Sequence, residues 1–133
     1  GLYCCYCGTT ATCGDFKIHT FTSSGTFTIC TAPTPANNNV SYMVVAGGGS
    51  GGADLSAGGG AGGFREGQTP AAPFTGSPLK AGTGIPVSAQ DYTITVGAGG
   101  AGASSPTNAC SSQTSGSDSI FSTITSSGGG FGG

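Results

Sequence analysis

The chain has 133 residues, of which 28 are glycine and only 6% are charged, and its net charge is −2. Nucleic acids and anionic membranes are bound through clustered basic residues, whereas Lys17, Arg65 and Lys80 are scattered. No run approaches the roughly 18 apolar residues of a membrane-spanning helix. The composition therefore argues against nucleic-acid binding and membrane insertion, and predicts one domain with a thin apolar core.

The N-terminal residues 1–14 form a Cys-rich segment, a possible linker between subunits, ahead of a glycine-rich β domain at 15–133. Disulfides are the expected state of cysteines in an extracellular domain with a thin core. A zinc site and reduced thiols remain as alternatives. The sequence does not choose among the possible pairings. Within the body of the domain we expect Cys30 to pair with Cys110, because each closes a strand or loop of the scaffold. The candidates are Cys4, Cys5, Cys7 and Cys13 in the segment, and Cys30 and Cys110 in the body.

Residues 15–30 predict two antiparallel strands joined by a short turn at Ser23-Ser24-Gly25, with Phe27 and Ile29 on one side of the second strand. His19 is the only histidine. We expect it to have a surface or packing role, because nothing around it resembles a nucleophile with its base. The proline and asparagine content of residues 31–39 predicts a loop.

Residues 40–46 are mostly apolar at both alternating positions, which predicts a strand buried on both faces. The strand leads directly into a glycine run that extends to residue 63. The same order recurs twice, because predicted strands at 91–96 and 119–127 also lead into glycine runs. The order of strand and glycine run is the closest feature of the chain to an internal repeat.

The glycine runs have two interpretations. A free glycine run loses much backbone entropy on ordering, which favours flexible linkers. Extended segments with three residues per turn can instead lie side by side and bond laterally through their backbones. We expect such a stack of polyproline-II-like segments. Its candidate residues are Gly47, Gly48, Gly49, Gly58, Gly59, Gly60, Gly97, Gly99, Gly100, Gly128, Gly129 and Gly130.

The remaining segments predict irregular structure. Residues 64–90 are rich in proline and predict a surface excursion with a short strand near Val87. Residues 103–118 predict a polar loop. Residues 97–102 match G-x-G-x-x-G, but no helix can follow them, so we expect no dinucleotide site. We predict no helix, metal or cofactor, and the fold class is a small antiparallel β-sandwich of about six strands with stacked glycine segments.

Four blocks of the chain carry a resemblance: DFKIHTFTSSGTFT, YMVVAGGGSGG with GGGAGGFREG, YTITVGAGGAG, and GSDSIFSTITSSGGGFGG. In this order they resemble the glycine-rich domain of bacteriophage tail-fibre and related virion proteins. The resemblance covers about residues 14–133 and implies stacked glycine helices between β-elements. The cysteines and the proline-rich insert depart from that family and imply maturation in an oxidising place.

Two non-enzymatic functions follow. In the first, the chain is a structural subunit that self-assembles into an extracellular or virion fibre through glycine packing and disulfides. The small number of charges and the cysteines near the N-terminus favour it. In the second, it is an adhesin at a fibre tip that recognises a cell-surface glycan or protein. The proline-rich insert and the aromatic residues in loops favour the second.

Five aromatic residues have two interpretations. They cap the ends of the glycine layers, or they bind sugar rings at a fibre tip or pack against the next subunit. These residues are Tyr3, Tyr6, Phe64, Phe74 and Phe131.

Overall fold

The computed structural model describes residues 3–6, 8–32, 38–53, 57–72, 74–102 and 112–133, with residues 3–6 described by backbone alone. This part of the chain is all-β and contains no helix, which confirms the predicted fold class. Its strands number eleven instead of about six. They are β1 (Tyr3–Tyr6), β2 (Thr9–Cys13), β3 (Phe16–Thr20), β4 (Gly25–Thr31), β5 (Asn39–Val40), β6 (Tyr42–Val45), β7 (Phe64–Gly67), β8 (Ile85–Pro86), β9 (Asp91–Thr95), β10 (Ser119–Phe121) and β11 (Ile124–Ser126).

The chain forms two compact units, and strands β6, β7 and β9 carry the chain from one unit to the other. The first unit comprises residues 1–43 and 65–94, and the second comprises residues 44–64 and 95–133. In the first unit, β4 lies between β1 and β9 in antiparallel ladders. Phe27 on β4 pairs with Tyr92 on β9, and both rings are buried. This ladder holds most of the first unit's apolar core.

Strands β2 and β3 form a two-stranded ribbon, so the predicted hairpin between residues 15–20 and 25–30 is wrong. The turn of this ribbon is Gly14-Asp15. Gly14 has a φ of 59°, in the left-handed region that glycine adopts without strain. A short Gly-Asp loop flanked by β-branched residues is a hairpin signal that the sequence carried. Strand β4 instead pairs with β1, which lies inside the Cys-rich segment.

Strand β6 is buried on one face only, which corrects the expectation of burial on both. Val44 and Ala46 are buried, whereas Met43 and Val45 are exposed. The partner of β6 is β7, in a stretch that the sequence predicted to be irregular. A two-stranded sheet commonly packs one face against the core and leaves the other in solvent, so alternate side chains along β6 stay exposed.

Residues 119–127 form the hairpin β10–β11 instead of one strand. Ser122 has a φ of 53° in the turn, a conformation that the sequence did not signal with glycine or asparagine. Two serines on this hairpin are buried, Ser119 and Ser126. The Ser126 hydroxyl donates a hydrogen bond to the Val44 carbonyl at 2.7 Å. This bond ties the hairpin to the end of β6 within the second unit.

We expect the substitution Ser126→Ala to lower the free energy of unfolding by about 1–2 kcal/mol, because it leaves the buried Val44 carbonyl without its donor. Chemical denaturation would measure the change. Ser127→Ala is the matched control, since Ser127 is the exposed neighbour. Equal effects of the two substitutions would contradict the role of the hydrogen bond.

Candidate functional site

Five extended segments of the second unit lie side by side and bond through their backbones. We name them segment I (46–53), segment II (57–63), segment III (97–102), segment IV (112–118) and segment V (127–133). Each carries two or more glycines except segment IV, which has Gly116 alone. Residues 112–118 were predicted as part of a polar loop, and the structure corrects this by placing them in the stack.

The hydrogen bonds of the stack repeat every third residue. Segment I donates to segment II from Ala46, Gly49 and Gly52, each at 2.9 Å. Segment II donates to segment V with the same spacing, and segment IV donates to segment III in the same way. The donors in those two rows are Ala57, Gly60 and Gly63, and then Thr114 and Ser117. A period of three is the turn of a polyproline-II helix, whose backbone groups can only bond outward.

Segment I is the centre of the stack. Its N–H groups donate to segments II and IV, and its carbonyls accept from segments III and V. The four outer segments are also bonded to one another: II to V, V to IV, and IV to III. Around segment I they therefore lie in the spatial order II, V, IV, III. This arrangement gives the second unit a core made of peptide groups instead of large side chains.

Close approach explains why the stack needs glycine. An alanine methyl at Gly47 would overlap the backbone of Ala98, and one at Gly49 would overlap the backbone of Gly130. Of the twelve predicted stack glycines, seven show such an overlap: Gly47, Gly49, Gly59, Gly97, Gly100, Gly128 and Gly129. The other five have more room: Gly48, Gly58, Gly60, Gly99 and Gly130. Four further glycines of the five segments would also overlap a neighbouring backbone but were not among the candidates: Gly62, Gly63, Gly116 and Gly132.

The G-x-G-x-x-G match at residues 97–102 reflects packing at only one of its three glycines. Methyl groups at Gly97 and Gly100 would overlap the carbonyls of Ser117 and Thr114 on segment IV. These two glycines are three residues apart and face the same neighbour, as the threefold turn of the segment requires. Gly100 is not a glycine of the motif, and methyl groups at the motif glycines Gly99 and Gly102 would overlap nothing.

Side-chain oxygens complete the hydrogen bonding of the stack. Ser119 Oγ accepts from the Gly97 N–H at 2.9 Å, and Asp118 Oδ1 accepts from the Gly128 N–H at 2.8 Å. Thr114 Oγ1 accepts from the Ala101 N–H at 2.8 Å. These groups bond N–H donors at the beginnings of segments III and V and near the end of segment III.

The β2–β3 ribbon presents a second candidate surface, in the first unit. Paired residues share a face and alternate along each strand. Ala11, Cys13, Phe16 and Ile18 therefore lie on one face, with Cys13 opposite Phe16 and Ala11 opposite Ile18. All four are exposed, Phe16 to 40% and Ile18 to 50%. We call these four residues the ribbon face. It is uncharged and apolar, and it carries a free thiol at Cys13.

The opposite face of the ribbon is partly covered. His19 packs against Phe27, with 5.4 Å between ring centroids. His19 Nδ1 is buried and has no hydrogen-bond partner in the described residues. The expected packing role of His19 fits this contact. A buried ring nitrogen without a partner costs free energy that an apolar ring of similar shape would not.

The hydroxyl of Tyr92 is hydrogen-bonded to the residues that lead into β9. Burial raises the pKa of Tyr92, but hydrogen bonds from the Ser88 side chain, the Ser88 backbone and the Gln90 side chain outweigh it and lower the pKa below the ordinary value. The Ser88 N–H donates to the Tyr92 hydroxyl at 2.8 Å. The hydroxyl therefore binds the residues that precede its own strand.

The other predicted site residues are distributed over both units. Phe74 of the first unit and Phe64 and Phe131 of the second are about half exposed. Cys30 is not a free thiol. Among the described residues, no three metal-ligating side chains cluster, and no helix is long and apolar enough to cross a bilayer. The side chains of Tyr3, Tyr6, Cys4, Cys5, Cys7 and Cys110 lie outside the described part of the structure.

The chain matches the family described as a glycine-rich domain over residues 22–133 and belongs to that family. The matched range contains every segment of the stack and begins after the ribbon. No curated protein and no solved structure matches the chain.

We expect Gly116→Ala to lower the free energy of unfolding by at least about 2 kcal/mol, because the methyl would overlap the Gly47 carbonyl at the centre of the stack. Gly82→Ala is the control, since a methyl there has nothing within 4 Å. We expect it to change the free energy by less than about 0.5 kcal/mol in chemical denaturation. A tolerated Gly116→Ala would show that the stack does not hold its close spacing in solution.

We expect His19→Phe to raise the free energy of unfolding by about 1 kcal/mol, since it keeps a ring against Phe27 and removes the unpaired nitrogen. His19→Gln is the comparison, because it keeps a polar group at the same place. Thermal unfolding of the two variants would measure the difference. Stabilisation by glutamine, or none by phenylalanine, would contradict the interpretation.

Proposed function

We propose that this protein is a non-enzymatic structural subunit that self-associates into an extracellular or virion fibre. The observation that carries the proposal is the ribbon face. Four adjacent uncharged residues lie exposed on a ribbon that pairs with no third strand in the described part of the chain. Two-stranded ribbons are marginally stable alone in water. A second copy of the chain that covers this face would stabilise it.

The edges of the ribbon favour the same function. Each strand of a two-stranded sheet has one unpaired edge, which can bond to a strand of another chain. Proteins that remain monomeric protect such edges with charge or proline. Here β2 has no charged residue and β3 has only Lys17, and neither strand contains proline. Strand β2 therefore lacks the charge and proline that prevent edge-to-edge association, and its edge is the one that we propose pairs with another chain.

The glycine stack supplies the rigidity that a fibre subunit needs. Its segments are joined by backbone hydrogen bonds in which each segment contacts at least two others. An extended backbone is already close to its maximum length, so it lengthens little under tension, whereas a helix can unwind. With 6% charged residues in the whole chain, neighbouring subunits would repel one another little.

Disulfides form part of the proposal, with roles that differ between cysteines. Strand β1 of the Cys-rich segment runs beside β4, which carries Cys30. Cys30 is not a free thiol, and we propose that its disulfide lies within the subunit. Cys13 is free and exposed in the ribbon face, so we propose that it is available to a neighbouring subunit.

The finer assignment to a phage tail fibre or virion protein is also proposed. It is supported by the resemblance of the four sequence blocks to virion fibre domains. The stacked segments match what that resemblance implied. The bonded state of Cys30 supports an oxidising location, since disulfides persist in oxidising compartments.

We expect the purified chain to form regular filaments in negative-stain electron microscopy and to sediment as a distribution of large species. The substitution Ile18→Lys places a charge in the ribbon face, and we expect it to shift the protein toward monomer by at least tenfold in concentration. Thr10→Lys is the matched control, since Thr10 is exposed on the other face of the same ribbon. A wild-type chain that stays monomeric at all concentrations would overturn the proposal.

Cys13→Ser separates the covalent contribution from the packing contribution. We expect filaments of Cys13→Ser to form but to dissociate on dilution, as wild-type filaments do after reduction. Non-reducing gel electrophoresis of wild-type filaments should show dimers that Cys13→Ser lacks. Filaments of Cys13→Ser that resist dilution as wild-type filaments do would remove Cys13 from the assembly.

The second candidate is an adhesin that binds a cell-surface glycan or protein. The exposed apolar side chains of the proline-rich excursion favour it, since Phe74 is 46% exposed and Leu79 is 94% exposed. Aromatic rings stack on sugar rings and commonly anchor such binding. Binding of the monomer to host-cell envelopes that is lost in Phe74→Ser but kept in Ile18→Lys would support this function.

A further inference from the structure

Segment I has one side that the stack does not use. A three-residue turn gives a segment three directions for its N–H groups and three for its carbonyls. Segments II and IV take two N–H directions, and segments III and V take two carbonyl directions. One N–H direction and one carbonyl direction are therefore not used by the stack. The N–H groups of Gly48 and Gly51 point in the first, and the carbonyls of Gly49 and Gly52 point in the second. We call the side of segment I that carries these four groups the open side.

The open side faces solvent. Gly48 and Gly51 are both exposed, although segment I is the centre of the stack. Neither their N–H groups nor the carbonyls of Gly49 and Gly52 have a hydrogen-bond partner among the described residues. Donors and acceptors alternate around segment I in the order II, V, IV, III. The remaining N–H row therefore lies next to segment III, and the remaining carbonyl row lies next to segment II.

Packing within the subunit does not require glycine at positions 48 and 51. A methyl at Gly48 would lie 3.6 Å from the Gly60 carbonyl oxygen, and one at Gly51 would lie 3.9 Å from the Gly59 nitrogen. Both are ordinary contacts. Methyl groups at Gly47 and Gly49, one step round the turn, would instead overlap segments III and V. By the threefold repeat, methyl groups at Gly48 and Gly51 would project toward the open side.

We propose that a glycine segment of a second copy of this chain docks on the open side and continues the stack between subunits. This inference rests on the proposed function, since it names a contact through which the subunits associate. The docking segment would accept hydrogen bonds from the Gly48 and Gly51 N–H groups and donate to the Gly49 and Gly52 carbonyls. Only a segment that has no side chains at the facing positions can approach at the spacing that the stack uses.

The same chain supplies the matching surface. Gly58, Gly102 and Gly130 lie on segments II, III and V, and an added methyl at any of them would meet nothing within 4 Å. All three are exposed. The outer faces of these segments therefore carry bare backbone, with N–H and carbonyl groups available to another segment. Hydrogen-bond rows on the two surfaces are complementary because both repeat every third residue.

The double substitution Gly48→Ala with Gly51→Ala tests the contact. We expect this variant to keep the melting temperature of the wild-type monomer, because both methyl groups have room within the subunit. We expect it to raise at least tenfold the concentration at which sedimentation velocity detects association. Gly82→Ala in the first unit is the matched control, and it should associate as the wild type does.

Amide hydrogen exchange tests the same contact without substitutions. Gly48 and Gly51 N–H groups should exchange rapidly in the dilute monomer and at least tenfold more slowly in the assembled protein. The Gly47 and Ser50 N–H groups, which bond within the subunit, should be protected in both. This measurement decides the question if the double variant does not fold.

The outcomes separate this inference from the proposed function. Association of the wild type with rapid exchange at Gly48 and Gly51, or with an unaffected double variant, would overturn the open-side contact and leave self-assembly in place. A wild-type chain that never associates would overturn both. Slowed exchange that appears only on assembly would support both.

Discussion

The second unit depends on lateral hydrogen bonds between backbones that have no side chains between them. Segments I to V are bonded at every third residue, and the bonds replace the apolar contacts that hold most small domains together. This solution suits a sequence with 28 glycines and few large apolar residues. It also makes the structure sensitive to single methyl groups, because the carbonyl of Gly47 leaves no room for a side chain at position 116.

A core of peptide groups has consequences at the surface. Large side chains cover the polar backbone of an ordinary domain, and its edges end in charged residues. A glycine stack cannot end in that way, since its outermost segments show the same bonding groups as its innermost one. Gly48 and Gly51 illustrate this, because they belong to the central segment and still face solvent. The association between copies that we propose would be a direct extension of the interaction that folds the unit.

The first unit is built by a different principle. Phe27, Ile29 and Tyr92 form a conventional apolar core between paired strands. The ribbon β2–β3 extends from this part of the chain with one face of exposed apolar residues and a free thiol at Cys13. The two units thus offer two distinct kinds of surface, one of backbone donors and acceptors and one of side chains. Each can be disrupted by substitutions that leave the other unchanged.

The sequence by itself determined the all-β class and the alternation of strands with glycine runs. Composition and local periodicity carry these features, because the strand period and the glycine content are written along the chain. The sequence predicted a threefold stack of those runs but left flexible linkers as the alternative, which only the structure decided. Only the tertiary structure decided which strands pair. Strand β4 joins β1 and β9 instead of β3, and residues 112–118 enter the stack with a single glycine. Pairing depends on contacts between residues far apart in sequence, and local patterns do not record those contacts. The open side of segment I was likewise decided by the tertiary structure. A glycine run in the sequence shows which positions lack side chains, but it does not show which of those positions face a neighbouring segment.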